Sequence, residues 1–154
     1  KPPFRFQEIE LPSNLFPEVK VVVDVAHNVA GIVSLKKMLS QKYPEKKFHF
    51  VLGFSKEKDI KGCLEELSSI ASNVYIVPSP VRGYPLDQVE CDKEIICESV
   101  EEGFSKALFN AQKDQGVLVV CGTFFIMPQI ADLLELDIIA DPKNLNEPYT
   151  LKIN

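Results

Sequence analysis

Val19 to Val23 is an almost unbroken run of branched apolar residues, VKVVV, interrupted only by Lys20. Such a run reads as a strand buried on both faces, which is how strands occur in parallel sheets sandwiched between helices. It ends in Asp24, with His27 and Asn28 just beyond. From Ala30 onward the apolar residues Ile32, Leu35, Met38 and Leu39 recur at helical spacing. A buried strand therefore turns into a helix, and three polar side chains sit at the turn. Asn28 is the expected N-cap, and the helix it opens directs unpaired N–H groups and a partial positive charge to that end of the strand. A phosphate or carboxylate suits such a place.

The same grammar repeats along the chain. Pro44 stops the first helix after about Tyr43. Phe48 to Gly53 reads as a second buried strand. The loop Ser55 to Asp59 leads into a helix from Ile60 to about Ala71, with Ile60, Cys63, Leu64, Leu67 and Ile70 on one face. Asn73 to Val77 is a third strand. Three prolines and a glycine between Pro78 and Pro85 exclude helix or central strand there. A short helix over Leu86 to Cys91 and a short strand over Glu94 to Cys97 follow. Ser99 caps a helix to Lys113, with Glu102 placed as in a capping box and Val100, Phe104, Ala107, Leu108 and Ala111 inward. Val117 to Cys121 is the last strong strand. It ends in Gly122-Thr123 and a helix from about Phe124 to Leu134. Before the first buried run, Phe4 to Leu11 is a candidate strand followed by a Pro12-Ser13-Asn14 loop, and the tail from Asp137 has weak strand or coil character.

Strands alternating with helices predict an α/β fold: a mainly parallel, Rossmann-like sheet with helices on both faces. Residues 1–18 form a linker and first strand, and residues 19–154 a single α/β domain. The chain starts at Lys1 with KPP, which reads as linker, so a larger protein is expected. Three loops leave strand carboxyl ends with polar cargo: Asp24 to Asn28, Ser55 to Asp59, and Gly122-Thr123. In this architecture they share one rim, where ligands bind. Lys58 supplies a cation to it. Arg82 is either a carboxylate clamp or a solvated arginine. His49, inside an apolar run, reads as structural.

A net charge of −5 and a pI near 5.1, without a basic stripe, argue against nucleic acid as a partner. No apolar segment approaches membrane-spanning length. Cys63, Cys91, Cys97 and Cys121 form no CxxC pair or zinc-like spacing, so they read as reduced thiols of a cytoplasmic protein. There is no GxGxxG, no GxxxxGK[ST], no G-x-S-x-G and no visible metal set.

The motifs nevertheless resemble those of a known family. Asp24-Val25-Ala26-His27-Asn28-Val29-Ala30-Gly31 is similar to the D-G-A-H-N-P-x-G signature of the folylpolyglutamate synthase and dihydrofolate synthase family, within the Mur ligase superfamily. Pro3 to Gln7 resembles its linker motif P-G-R-x-E, Gly53 to Asp59 its glycine followed by D-K-D, and Gly122 to Phe125 its G-S-x-Y. Phe4 and Val25 stand where the family has glycine, Val29 where it has proline, and Thr123 where it has serine. Glycine at such positions often marks close backbone approach or positive φ.

The resemblance implies the C-terminal domain of an ATP-dependent ligase that adds glutamate to dihydropteroate or folate through an acyl phosphate. It implies ATP and magnesium as cofactors, bound mostly by a preceding N-terminal domain of the same chain. Carried over by motif, Arg5, Asp24, His27 and Asn28 would face the nucleotide, and His27 and Asp24 are the catalytic candidates. Lys58 and Thr123 would hold glutamate, with Arg82 a further candidate from its loop position only. A Mur-type peptidoglycan ligase domain and a non-catalytic anion-binding module are the alternatives. A hydrolase built on Asp24 and His27 would lack a nucleophile.

Overall fold

The structure is a computed structural model that describes residues 4–11 and 19–139. Six strands form one sheet in the order β1-β2-β6-β3-β4-β5. They are β1 (Gln7–Glu10), β2 (Lys20–Asp24), β3 (Phe48–Gly53), β4 (Ala71–Val77), β5 (Ile95–Ile96) and β6 (Val117–Gly122). All neighbours pair in parallel except β1, which runs antiparallel along β2. The helices are α1 (Val29–Lys42), α2 (Ile60–Leu67), α3 (Val100–Asp114) and α4 (Met127–Ile139). The mainly parallel α/β architecture expected from the alternation is what the chain forms, with helices on both faces of the sheet.

Side chains leave each strand alternately to two cores, as a period of two requires. Val22, Phe50, Leu52, Val119 and Cys121 face Ile32, Leu35 and Leu39 of α1 and Cys63, Leu64 and Leu67 of α2. Val21, Val23, Val51, Leu118 and Val120 face Phe104, Ala107, Leu108 and Ala111 of α3 and Ile130, Leu133 and Leu134 of α4. Both faces of β3 and β6 are buried along their full length, which is why their sequences are apolar almost throughout.

Several boundaries differ from the sequence-based expectation. The second helix ends at Leu67, not near Ala71. The hydroxyls of Ser68 and Ser69 donate to the carbonyls of Glu65 and Glu66, satisfying the helix end early, and Ala71 then joins the sheet opposite Phe48. Beyond Pro85 only Leu86–Gln88 makes a turn of 3₁₀ helix, and Val89 is already extended. The strand expected from Glu94 to Cys97 shrinks to Ile95–Ile96 at the sheet edge. The last helix opens as a 3₁₀ turn, Phe124–Ile126, and α4 continues to Ile139, so Asp137 to Ile139 are helical rather than coil. The Pro12-Ser13-Asn14 loop and the rest of the tail lie outside the described residues.

The first strand is shorter than Phe4 to Leu11 because Phe4 and Phe6 have φ of 60° and 42°, which no strand accommodates. Its outer end is tied down by side chains. Glu8 accepts a hydrogen bond from the Tyr43 hydroxyl and an ion pair from Lys42 at 2.8 Å, both at the end of α1. Burial, and then Glu8, push the Tyr43 hydroxyl above its usual range.

Ser99 caps α3 as expected, accepting from Glu102 N at 3.0 Å. The Glu102 carboxylate reaches back to the amide of Glu98 at 2.6 Å, one residue beyond the partner in a standard capping box. His49 is structural in its setting. It is 2% exposed, with Nδ1 2.7 Å from Asn73 Oδ1 and Nε2 2.7 Å from Asp114 Oδ2.

Candidate functional site

The sheet order locates the site. The helices after β2 and β3 lie on one face, while the helix after β6, inserted between those strands, lies on the other. The connections diverge beyond the carboxyl end of β6 and leave a crevice there. An open cleft of about 670 Å³ occupies it, lined by residues that include Val25, His27, Ser55, Lys58, Arg82 and Thr123.

Two glycines allow the floor of this cleft. Gly53 and Gly122 are register partners in β3 and β6. Gly122 has φ of 115°, and a Cβ there would lie 1.9 Å from the Gly53 carbonyl oxygen. That oxygen instead accepts the amide of Thr123 at 2.7 Å. Only glycine permits so close an approach with positive φ. Thr123 is thereby carried to the cleft at 4% exposure. Its hydroxyl caps the turn that follows, accepting from Phe125 N at 3.2 Å.

His27 is set by its own turn. Its Nδ1 lies 2.9 Å from the Val25 carbonyl oxygen. A carbonyl only accepts, so Nδ1 carries the hydrogen and Nε2 remains as the ring's free polar atom. Asn28, next in the chain, is spent on capping: its side-chain oxygen accepts from Gly31 N at 2.8 Å. Lys56, Lys58 and Arg82 have no ion-pair partner among the described residues. Glu57 is the one acid among the described residues lining the cleft, so an otherwise acidic chain gathers positive charge here. Arg82 arrives from the Pro-rich loop, which clips onto the end of β3. The Arg82 carbonyl accepts from Lys56 N at 2.8 Å, and Tyr84 N donates to Phe54 O at 3.0 Å.

The fold thus brings His27, Lys58, Arg82 and Thr123 to one cleft. Arg5, Asp24 and Asn28 are not among the residues lining it. Asp24 is 8% exposed, and both carboxylate oxygens are taken by backbone amides. Oδ2 accepts from Phe6 at 2.8 Å and Oδ1 from Ala26 at 2.7 Å. Arg5 is exposed, between the two phenylalanines of positive φ. Sequence alone assigns no role to Ser55, Lys56, Phe124 or Phe125, although Ser55 and Lys56 fall in one of the three rim loops. Phe124 is 56% exposed and meets Phe4 edge to face at 6.0 Å. Among the described residues no group of three or more His, Cys, Asp or Glu side chains could hold a metal ion.

A mainly parallel α/β domain with a cation-lined cleft at its strand ends is the class these features define. The sequence profile of the Mur ligase, glutamate ligase domain family matches residues 5–124, and the chain belongs to that family. The dihydrofolate synthase/folylpolyglutamate synthase of Buchnera aphidicola is 26% identical over 136 residues, which are 85% of this chain and 31% of that protein. Among solved structures, the bifunctional folylpolyglutamate synthase/dihydrofolate synthase from Yersinia pestis, complexed with AMPPNP and Mn ion, superposes with a TM-score of 0.75 at 28% identity. That match covers 88% of this chain and 32% of the other. Another bifunctional enzyme of the same name, with Mn, AMPPNP and L-glutamate bound, gives a TM-score of 0.71 at 27% identity with the same coverage. The chain spans about a third of the length of these relatives.

Proposed function

We propose that this chain is the glutamate-handling, C-terminal domain of an ATP-dependent ligase that adds glutamate to dihydropteroate or folate. The observation that carries the reading is the convergence of Lys58, Arg82 and Thr123 on one cleft beside His27. Glutamate brings two carboxylates and an amine. Lys58 and Arg82 neutralise the carboxylates, and the Thr123 hydroxyl donates to one of them. The amine displaces phosphate from an acyl phosphate, forming the amide and releasing a proton. Positioning and charge neutralisation are what the protein contributes to such a step.

His27 presents Nε2 toward the nucleotide side of the cleft, and Arg5 reaches the nucleotide from the linker. Asn28 holds the helix start that faces it. Asp24 acts at one remove, through the backbone that carries Phe6 and His27. The metal that accompanies ATP has no ligand set among the described residues. It and most of the nucleotide contacts belong to a preceding domain in this reading, and the whole protein works in the cytoplasm.

Membership of the glutamate ligase family supports the reading, as does a relative solved with L-glutamate bound. The relatives above are folate enzymes, which favours the folate branch over a peptidoglycan ligase.

The test is His27→Ala in the full-length ligase. Turnover of dihydropteroate or folate with glutamate falls about 10²-fold or more, the scale of a lost contact that positions and stabilises the reacting groups, while the melting temperature stays put. Wild-type turnover in that variant overturns the assignment. A substrate panel that includes a nucleotide-linked sugar peptide separates the folate branch from the peptidoglycan one.

A further inference from the structure

Ser55 lies 68 residues from Thr123 in the chain, yet its hydroxyl oxygen is hydrogen-bonded to Thr123 Oγ1 at 2.9 Å. The same oxygen accepts the Phe125 amide at 3.2 Å. A hydroxyl has two acceptor lone pairs and one proton. With Ser55 as the donor of the pair, both lone pairs are engaged and the Thr123 proton is left to donate, and Thr123 lines the cleft. Without Ser55 the hydroxyl could rotate, accept from a ligand as readily as donate, and lose its preference for a carboxylate.

Ser55 also joins the other parts of the cleft. It bridges Gly83 in an isolated antiparallel pair, next to the contact between Lys56 N and the Arg82 carbonyl. One half-buried serine thus touches the turn bearing Thr123 and the loop bearing Arg82, and lies three residues before Lys58.

We propose that Ser55 is a positioning residue that locks the Thr123 hydroxyl as a hydrogen-bond donor, and so selects a carboxylate ligand at that point of the cleft. The inference rests on the glutamate reading, and it gives a role to a residue that is not one of the defining positions of the family motifs.

The experiment is a double-mutant cycle in the full-length ligase with Ser55→Ala, Thr123→Val and the pair, following KM and kcat for the amino-acid substrate. Ser55→Ala raises KM for glutamate about tenfold, the worth of a hydrogen bond to a charged group, with kcat nearly unchanged. In the Thr123→Val background the same change has no further effect, because the hydroxyl through which it acts is gone. Ser55→Thr, which keeps the donor, restores KM toward wild type.

An additive effect of Ser55→Ala in the Thr123→Val background overturns the proposal, since Ser55 would then act by supporting the loop alone. An unchanged KM in Ser55→Ala also overturns it. Failure of the glutamate reading looks different. The wild-type enzyme would prefer another amino acid, and the cycle, run with that substrate, would still report whether Ser55 and Thr123 act as a unit.

Discussion

The carboxylate of Asp24 holds the amide of Phe6, 18 residues upstream, at 2.8 Å. The other oxygen holds Ala26, at the turn that carries His27. One buried acid therefore fastens the segment before β1 to the end of β2. Phe6 needs such a clamp because its φ of 42° is costly for a residue with a side chain.

Replacing Asp24 by Ala removes the carboxylate that accepts from two amides, Phe6 and Ala26. We expect a loss of about 3 kcal/mol in urea denaturation, and about half of that for Asp24→Asn, which keeps one acceptor oxygen. If Asp24→Asn instead abolished turnover with stability intact, Asp24 would touch the reacting groups directly.

Lys58 has no ion-pair partner among the described residues, so removing it costs the fold little. On the proposed glutamate-ligase reading, Lys58→Ala in the full-length protein should raise KM for glutamate about tenfold while kcat and melting temperature hold, as expected for a lost charge-assisted contact. A glutamate dependence identical to wild type would take Lys58 out of the site.

Gln115 ends α3 in the left-handed conformation, φ 54° and ψ 39°, with its amide on the Ala111 carbonyl. Glycine adopts that conformation without steric cost. Gln115→Gly should therefore stabilise the fold by about 1 kcal/mol, read as a higher melting temperature. A lower one would mean that the Gln115 side chain contributes more than its backbone costs.

The cysteines should separate by reactivity. Burial is the main cause pushing Cys63 and Cys97 up to about 11, helped by the charges of Asp59 and Glu102, and it holds Cys121 well above the ordinary thiol range. Cys91 is also raised, by partial burial and Glu94, but it is exposed. At pH 8 iodoacetamide should modify Cys91 alone in the native protein and all four in denaturant, as mass spectrometry would show. Rapid native labelling of Cys63 would contradict the packing of α2 on the sheet.

Phe4 shows how far a sequence departure can be read. It stands where the related linker motif has glycine, and its φ is 60°, so this phenylalanine adopts a backbone conformation that favours glycine. Its ring meets Phe124 at the cleft edge. Val25, the other replacement of a motif glycine, is not among the residues of positive φ. The same signal thus marks a special conformation at one position and not at the other.

What the sequence determined by itself was local or periodic. Apolar runs of strand length alternating with amphipathic helices set the α/β architecture. Asn28 and Ser99 announced helix starts because a cap bonds an amide three residues away, and the structure adds Asp59 as the cap of α2. The rim at the strand ends followed from that architecture. Only the tertiary structure decided which rim residues meet. Strands β3 and β6 are far apart in the chain, and the register that sets Gly53 opposite Gly122 brings Ser55 to Thr123. The same is true of Asp24, whose oxygens are claimed by amides on two different segments. A residue's type shows what bonds it can make, but long-range register and burial choose the partner it makes them with.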